Sequence, residues 1–187
     1  SGKGISASIV TGIIGGMIST FDGTKGVEFL LKQMNKYIYE SFNLNKYITA
    51  IVLDIDFLTG KILIYDMGHC MGEGNLYYLR DNSFYTIENS NYSTPIGLMP
   101  EVDVLKDEFQ MSKGDRLFIG SDGVNDQFNE TGYSYDHMRL ERQMLINQTN
   151  DLEVARDDLV NDIHKFRDGH PQYDDLTFII FDYYGKR

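Results

Sequence analysis

Two short segments of the 187-residue chain carry carboxylates where a fold could bring them together. Asp122 follows the apolar run 116–119, and Gly123 after it is expected to let the backbone turn away. Asp174 and Asp175 stand directly before the predicted strand 176–184. If the two runs are neighbouring antiparallel strands, the end of one lies beside the start of the other, and Asp122 meets Asp174. Clustered carboxylates repel one another unless a cation neutralises them, and Mg²⁺ or Mn²⁺ would suit oxygen ligands.

Each carboxylate motif also has an ordinary structural explanation. Asp-Gly is a common turn, and Asp174-Asp175 could be a helix cap or a solvated loop. The position of both motifs at strand ends is what favours a metal site, and the residues by themselves leave both interpretations open.

Three other features could carry chemistry. Gly2–Ala7 matches a G-x-G-x-x-A nucleotide-binding pattern, with Asp22 at a suggestive distance, but no strand precedes it. Dinucleotide binding is therefore a weaker alternative. His69 follows a predicted strand and could be a ligand, an acid or a phosphate contact. Cys70 beside it has no nearby partner that suggests a nucleophile, so a packed or exposed thiol is the simpler interpretation.

The charge and cysteine content limit the function classes. The net charge is −11, with nine acids and seven bases in residues 1–100 and nineteen acids and ten bases in residues 101–187. Nucleic-acid binders present clustered Lys and Arg, so this acidic chain is not expected to bind nucleic acid. Cys70 is the single cysteine, which excludes an internal disulfide and fits a reducing, cytoplasmic location.

The N-terminal region contains the longest uncharged stretch, Ile5–Phe21. Eight of its 17 residues are Gly, Ser or Thr, which is weak for a membrane span of ~20 apolar residues, so a buried helix is expected. No signal peptide is visible, although the parent protein could be membrane-anchored through regions outside the chain. Because the sequence starts at Ser1 in what looks like the middle of a motif, we expect a fragment of a longer protein.

The hydrophobic spacing predicts the elements that must position these residues. Helices are expected over 5–20, from about 27 to 42 and over 151–167, the second on the stripe Val27, Leu31, Met34, Ile38 and Phe42. Strands are expected over 48–53, 61–67, 75–80, 83–88, 116–120 and 176–184. Asp81-Asn82 is a plausible two-residue hairpin loop. This order predicts a single α+β domain over 1–187, with helices on both faces of a sandwich of mainly antiparallel sheets.

Six segments in this order resemble the SpoIIE/RsbU-like branch of the metal-dependent protein phosphatases, the PPM family. They are Ser1-Gly2-Lys3-Gly4, Gly68-His69, Pro95-Ile96-Gly97-Leu98, Gly114-Asp115-Arg116-Leu117, Ser121-Asp122-Gly123 and Asp174-Asp175-Leu176-Thr177. The resemblance covers essentially the whole chain. It implies an α/β/β/α sandwich that binds two Mn²⁺ or Mg²⁺ ions at one edge.

The resemblance also implies an activity and a set of site residues. Family members hydrolyse phosphoserine or phosphothreonine, commonly on anti-anti-sigma (STAS) proteins in bacterial partner-switching pathways that regulate sigma factors. By this resemblance, Asp122 and Asp174 are the metal-binding and catalytic aspartates, and Asp126 is a candidate for an additional metal. The other motif residues are Gly123, Asp175 and His69.

The sequence departs from the family pattern in two places. The first family motif begins with a metal-bridging Asp that would lie two residues before Ser1, and the strands that normally precede it are also absent. Cys70-Met71 follows His69 where the family often has a proline.

The two metal ions that the resemblance implies would lower the pKa of a bridging water and offset the charge of the phosphoryl oxygens, so no protein nucleophile is required.

These observations predict a metal-dependent phosphoserine/phosphothreonine phosphatase domain, truncated at its N-terminus. Its expected partners are a phosphorylated STAS protein, an upstream sensor domain and a second copy in a homodimer. A shift of the helices in 5–42 could move the upstream Asp and so control activity. The alternative is a catalytically inactive regulatory or binding module of the same fold, which would follow if the native protein lacked that Asp.

Overall fold

The computed structural model describes residues 5–42, 46–69 and 76–186. They form two compact units, one from the described residues within 1–56, 61–72 and 89–109, and the other from those within 57–60, 73–88 and 110–187. In chain order the helices and strands are α1 Ile5–Ser19, α2 Val27–Phe42, β1 Ala50–Asp56, β2 Lys61–Met67, β3 Leu76–Arg80, β4 Ser83–Thr86, β5 Tyr92–Ser93, β6 Asp107–Gln110, β7 Arg116–Gly120, α3 Asp122–Asn125, α4 His137–Ile146, α5 Leu152–Arg167 and β8 Phe178–Asp182.

In the first unit, β2 is the strand on which the sheet is built. It pairs antiparallel with β1, with Ala50 opposite Met67 at one end and Asp56 opposite Lys61 at the other. It also pairs in parallel with the two-residue β5, and it pairs with β6. Leu31, Met34 and Ile38 of α2 are buried with residues of this sheet in one apolar cluster, as the predicted stripe requires. Burial of such side chains stabilises the unit by about 1.5–3 kcal/mol each.

Helix α1 lies where a helix was predicted, but the prediction that it is buried is wrong. Among the described side chains of α1, Val10 is the buried apolar one, whereas Ile9 and Ile18 are more than half exposed. Its glycines also face open space, because a Cβ added at Gly12 or Gly15 would meet no atom within 4 Å. Among the residues that the structure describes, no helix has the length and apolar character needed to cross a membrane.

The second unit contains a four-stranded sheet in the order β4-β3-β7-β8, antiparallel throughout. The β3–β4 hairpin turns at Asp81 and Asn82, whose φ angles of 51° and 60° are the left-handed values that a tight hairpin needs. Leu140 of α4 and Leu159 of α5 belong to the same buried cluster as Phe118 of β7. This packing fixes β7 and β8, the two strands whose ends carry the predicted site.

Two ion pairs of this second unit explain the Gly114–Leu117 motif. The carboxylate of Asp115 accepts from Arg80 Nε at 2.9 Å and Nη2 at 2.7 Å. Arg116 is 5% exposed and donates to both oxygens of Asp182, at 2.6 and 2.9 Å. Arg116 also donates to the carbonyl oxygens of Asn147 and Asn150, at 2.5 and 2.7 Å, and so ties the α4–α5 connection to β7 and β8.

Candidate functional site

Asp122 lies where β7 gives way to a short helix. Ser121 is extended and directly precedes α3, so Asp122 is the first helical residue. Its Oδ1 accepts from the N–H of Gly123 at 2.9 Å, and its carbonyl oxygen accepts from the N–H of Asp126 at 2.9 Å. The side chain is exposed, so the carboxylate is available at the end of the sheet.

Asp174 and Asp175 lie in the loop that leads into β8, and both are exposed. The N–H of Asp175 donates to Asp174 Oδ1 at 2.8 Å. Because β7 and β8 are antiparallel neighbours with Gly120 opposite Phe178, the end of β7 lies beside the start of β8. The structure therefore shows the strand arrangement that the sequence analysis required for Asp122 to approach Asp174.

Ser121 and Thr177 join the two carboxylate-bearing segments directly. The N–H of Ser121 donates to the carbonyl oxygen of Thr177 at 2.8 Å, and the N–H of Thr177 donates to Ser121 Oγ at 3.3 Å. Ser121 Oγ also donates to the carbonyl oxygen of Asp175 at 3.2 Å. These bonds hold the loop before β8 against the start of α3.

Gly123 is required for a different reason from the one that the sequence suggested. The chain does turn away from β7 here, as predicted, but Gly123 lies inside α3 and its φ is not positive, so the turn does not depend on the conformational freedom of glycine. A Cβ at this position would instead overlap the carbonyl oxygen of Asp175. Glycine is needed because the two segments approach each other too closely for any side chain.

The electrostatics of Asp126 show that three carboxylates share this region. Partial burial raises the pKa of Asp126, and the negative charges of Asp122 and Asp174 raise it further. A divalent cation would relieve this repulsion, and carboxylate oxygens are the donors that Mg²⁺ and Mn²⁺ prefer. The donor chemistry fits a hard metal ion, although within 5–42, 46–69 and 76–186 no three His, Cys, Asp or Glu side chains form a ready-made binding group.

Gln127 is a residue of this region that the sequence analysis missed. Its side chain is fully buried, and Nε2 donates to the carbonyl oxygens of Gly123 at 2.6 Å and Asp174 at 3.2 Å. A glutamine between an aspartate and a phenylalanine has no distinctive sequence pattern, so only the fold reveals the contact.

His69 lies in the first unit, in the loop after β2. It is half-buried, and its N–H donates to Oδ1 of the fully buried Asp66 at 2.8 Å, while Asn89 Nδ2 donates to Asp66 Oδ2 at 2.8 Å. Gly68 has a φ of 69°, and a Cβ there would lie 2.6 Å from the ring of Pro95. Of the nucleotide-binding pattern Gly2–Ala7, residues 2–4 lie outside the described residues, and so does Cys70-Met71.

The Pro95–Leu98 motif has a structural role in the same unit. The buried Asn35 of α2 accepts from the N–H of Gly97 at 2.8 Å and donates to the carbonyl oxygen of Met99 at 3.1 Å. Gly97 has a φ of 83° and packs against Ile38 so closely that a Cβ would overlap it. The motif therefore fixes a loop to α2.

Comparison with solved structures defines the class of fold. The chain is similar to the SiaA-PP2C domain of Pseudomonas aeruginosa, with a TM-score of 0.76 at 17% identity over 97% of this chain and 72% of that chain. It is also similar to the phosphatase domain of the cell fate determinant SpoIIE from Bacillus subtilis, presoaked with Mn, with a TM-score of 0.57 at 18% identity over 92% and 72% of the two chains. The fold is that of PP2C phosphatases, which confirms the predicted α+β class with mainly antiparallel sheets.

Sequence comparison then defines the family. The model of the Stage II sporulation protein E (SpoIIE) family matches residues 1–184, and the chain belongs to this family. It is 22% identical over 182 residues to the phosphoserine phosphatase RsbU of Bacillus subtilis (strain 168), which covers 96% of this chain and 52% of that protein. The chain thus spans about half the length of this curated relative.

Proposed function

We propose that this chain is a metal-dependent protein phosphatase domain that hydrolyses phosphoserine or phosphothreonine. The observation that carries the proposal is the placement of Asp122 and Asp174 at adjoining ends of β7 and β8, in a chain of the SpoIIE family. The similarity to RsbU, named a phosphoserine phosphatase, supports the substrate class.

Asp122 and Asp174 would hold the metal ions, with Asp126 as a candidate ligand of an additional metal. When bound, Mn²⁺ or Mg²⁺ lowers the pKa of a coordinated water and offsets the charge of the phosphoryl oxygens. The protein contributes the two segments that carry these carboxylates, which Ser121 joins by a hydrogen bond and Gly123 allows to approach closely. Its net charge of −11 would repel a phosphoprotein, so neutralisation at this carboxylate cluster is needed for the substrate to approach.

We further propose that the substrate is a phosphorylated STAS protein of a partner-switching pathway, with an upstream sensor domain and a homodimer as regulatory partners. The resemblance to the SpoIIE/RsbU-like branch supports this assignment. Asp122 and Asp174 are exposed, so a phosphorylated side chain on a partner protein could reach them.

The test uses the full-length protein, because the resemblance implies a further metal Asp upstream of Ser1. Phosphate release from a phosphorylated STAS protein should require Mn²⁺, stop on chelation and resume when Mn²⁺ is returned. Asp122→Asn should reduce release to background, whereas Asp158→Asn, an exposed carboxylate on α5, should not. Full activity of the Asp122→Asn protein would contradict the site assignment.

A second candidate is a catalytically inactive module that binds its partner through the same fold. It would follow if the native protein lacked the upstream metal Asp that the resemblance implies. In that case the full-length protein would bind the STAS protein but release no phosphate at any Mn²⁺ concentration.

A further inference from the structure

Gln127 connects the two segments that carry the candidate metal ligands. It lies two residues after the end of α3, and its single Nε2 group donates both to the carbonyl oxygen of Gly123, next to Asp122, and to the carbonyl oxygen of Asp174. One nitrogen with two hydrogens can satisfy both carbonyl oxygens only if they remain on either side of it. This amide therefore constrains the spacing between the α3 segment and the backbone of Asp174, in addition to the bonds that Ser121 makes to the same loop.

We propose that Gln127 is a positioning residue that fixes Asp174 relative to Asp122 in the metal centre. This inference rests on the proposed function for its metal-binding consequence, but the mechanical connection stands on the hydrogen bonds alone. Gln172 Nε2 also donates to the carbonyl oxygen of Asp174, at 2.9 Å. Gln172 belongs to the same loop as Asp174, so this second bond leaves the loop's distance from α3 undetermined.

The other end of the Gln127 amide supports a positioning role over a purely stabilising one. Oε1 is buried, and none of the described residues donates a hydrogen bond to it. A buried acceptor without a donor is unfavourable, and an apolar side chain of similar length would remove that cost. Stability alone therefore does not explain a glutamine here, whereas its two donated hydrogen bonds do. The reversed amide orientation would point Oε1 at two carbonyl oxygens, so the arrangement with Nε2 between them is the one that chemistry allows.

The substitution Gln127→Met tests this role because methionine has a similar length and no donors. The matched control is Gln172→Met, which removes a hydrogen bond to the same Asp174 carbonyl oxygen without removing the connection to α3. Both variants are made in the full-length protein. If Gln127→Met fails to fold, Gln127→Asn replaces it, since its shorter amide cannot reach both carbonyl oxygens.

The first measurement is amide hydrogen exchange without metal. We expect Gln127→Met to accelerate exchange about 10-fold at Ser121 and Thr177, whose N–H groups bond across the two segments, because two supporting hydrogen bonds are lost. Gln172→Met should leave these two amides as in the wild type. Equal exchange in the wild type and Gln127→Met would overturn the positioning role.

The second measurement is Mn²⁺ affinity by calorimetric titration. Loss of a group that orients metal ligands weakens binding by about 10- to 100-fold, and we expect this for Gln127→Met but not for Gln172→Met. Unchanged affinity in Gln127→Met would overturn the proposal, whatever its thermal stability. A wild type that binds no Mn²⁺ would overturn the proposed function and the metal role of Gln127, while accelerated exchange would still support its mechanical connection.

Discussion

Substitution of Gly123 by alanine tests whether close backbone approach, and not chain flexibility, is why a glycine follows Asp122. The added Cβ would overlap the carbonyl oxygen of Asp175, lie 2.9 Å from the carbonyl carbon and 3.3 Å from Ser121 Oγ. The closest atoms belong to a backbone carbonyl, which cannot rotate away as a flexible side chain would. Relief of the overlap therefore requires the loop before β8 to move away from α3.

The magnitude follows from two opposing terms. Overpacking costs about 1–3 kcal/mol, and overlap with a backbone atom places this substitution in the upper part of that range, at about 2–3 kcal/mol. The better helix propensity of alanine offsets about 1 kcal/mol of this cost. We expect a net loss of about 1–2 kcal/mol in the free energy of unfolding, which lowers Tm by about 2–8 °C for a chain of this size. Displacement of Asp175 also moves Asp174, so Mn²⁺ affinity should fall in the same variant.

Gly15→Ala provides the matched control, since it is also a glycine-to-alanine change inside a helix. No atom lies within 4 Å of a Cβ at Gly15, so only the propensity term applies, and stability should rise by about 0.5–1 kcal/mol. Both proteins are measured by thermal unfolding and by Mn²⁺ titration. Tm shifts of the same sign for Gly123→Ala and Gly15→Ala, with unchanged Mn²⁺ affinity in Gly123→Ala, would refute the argument from close approach.

Two further predictions concern charged pairs away from the carboxylate cluster. Arg116→Met should lower the free energy of unfolding by about 3–5 kcal/mol in urea titrations, because it leaves Asp182 largely buried without its cation. The double variant Arg116→Met/Asp182→Leu should recover part of this loss, because it leaves no buried charge without a partner. If the double variant loses as much free energy of unfolding as the single variant, the argument is contradicted. Glu28 pairs with Lys32 at 2.7 Å, which lowers the pKa of Glu28 from 4.5 and raises that of Lys32 from 10.5. The pair should stabilise the protein between about pH 4.5 and 10.5. This stabilisation should decline as pH falls through the lowered pKa of Glu28 or rises through the raised pKa of Lys32, and it should be lost in Lys32→Met. A difference in Tm between the wild type and Lys32→Met that does not change with pH would refute this prediction.

Local patterns were sufficient to predict the elements that frame the candidate site. The stripe of α2 and the apolar spacing of α5 follow a helical period, and both helices form as predicted. Asp81-Asn82 supplies residues that tolerate positive φ, so the hairpin between β3 and β4 was also predictable. The placement of Asp122 beside the loop of Asp174 followed from treating β7 and β8 as antiparallel neighbours, which the structure confirms.

The remaining elements depend on contacts that no local pattern encodes. Strand β5 has two residues and exists because Asp66 and Met67 of β2 pair with it from 25 or more positions earlier in the chain. Helix α3 spans four residues, too few for a hydrophobic period to be visible. Gln127 acts through backbone carbonyl groups, which every residue has, so its partners could not be inferred from residue types.

The structure also separates two kinds of carboxylate that the sequence motifs present alike. Asp115 and Asp182 are largely buried, and a guanidinium occupies both oxygens of each, so neither can serve a metal ion without abandoning an ion pair. Asp122 and Asp174 are exposed, and each accepts a hydrogen bond only from the next residue among the bonds described. Their negative charges raise the pKa of Asp126, so a cation would be stabilised near these three carboxylates. Among the described residues, no guanidinium forms an ion pair with Asp122, Asp126 or Asp174. This difference in charge compensation, more than the motifs themselves, is the physical reason for placing the metal ions at the ends of β7 and β8.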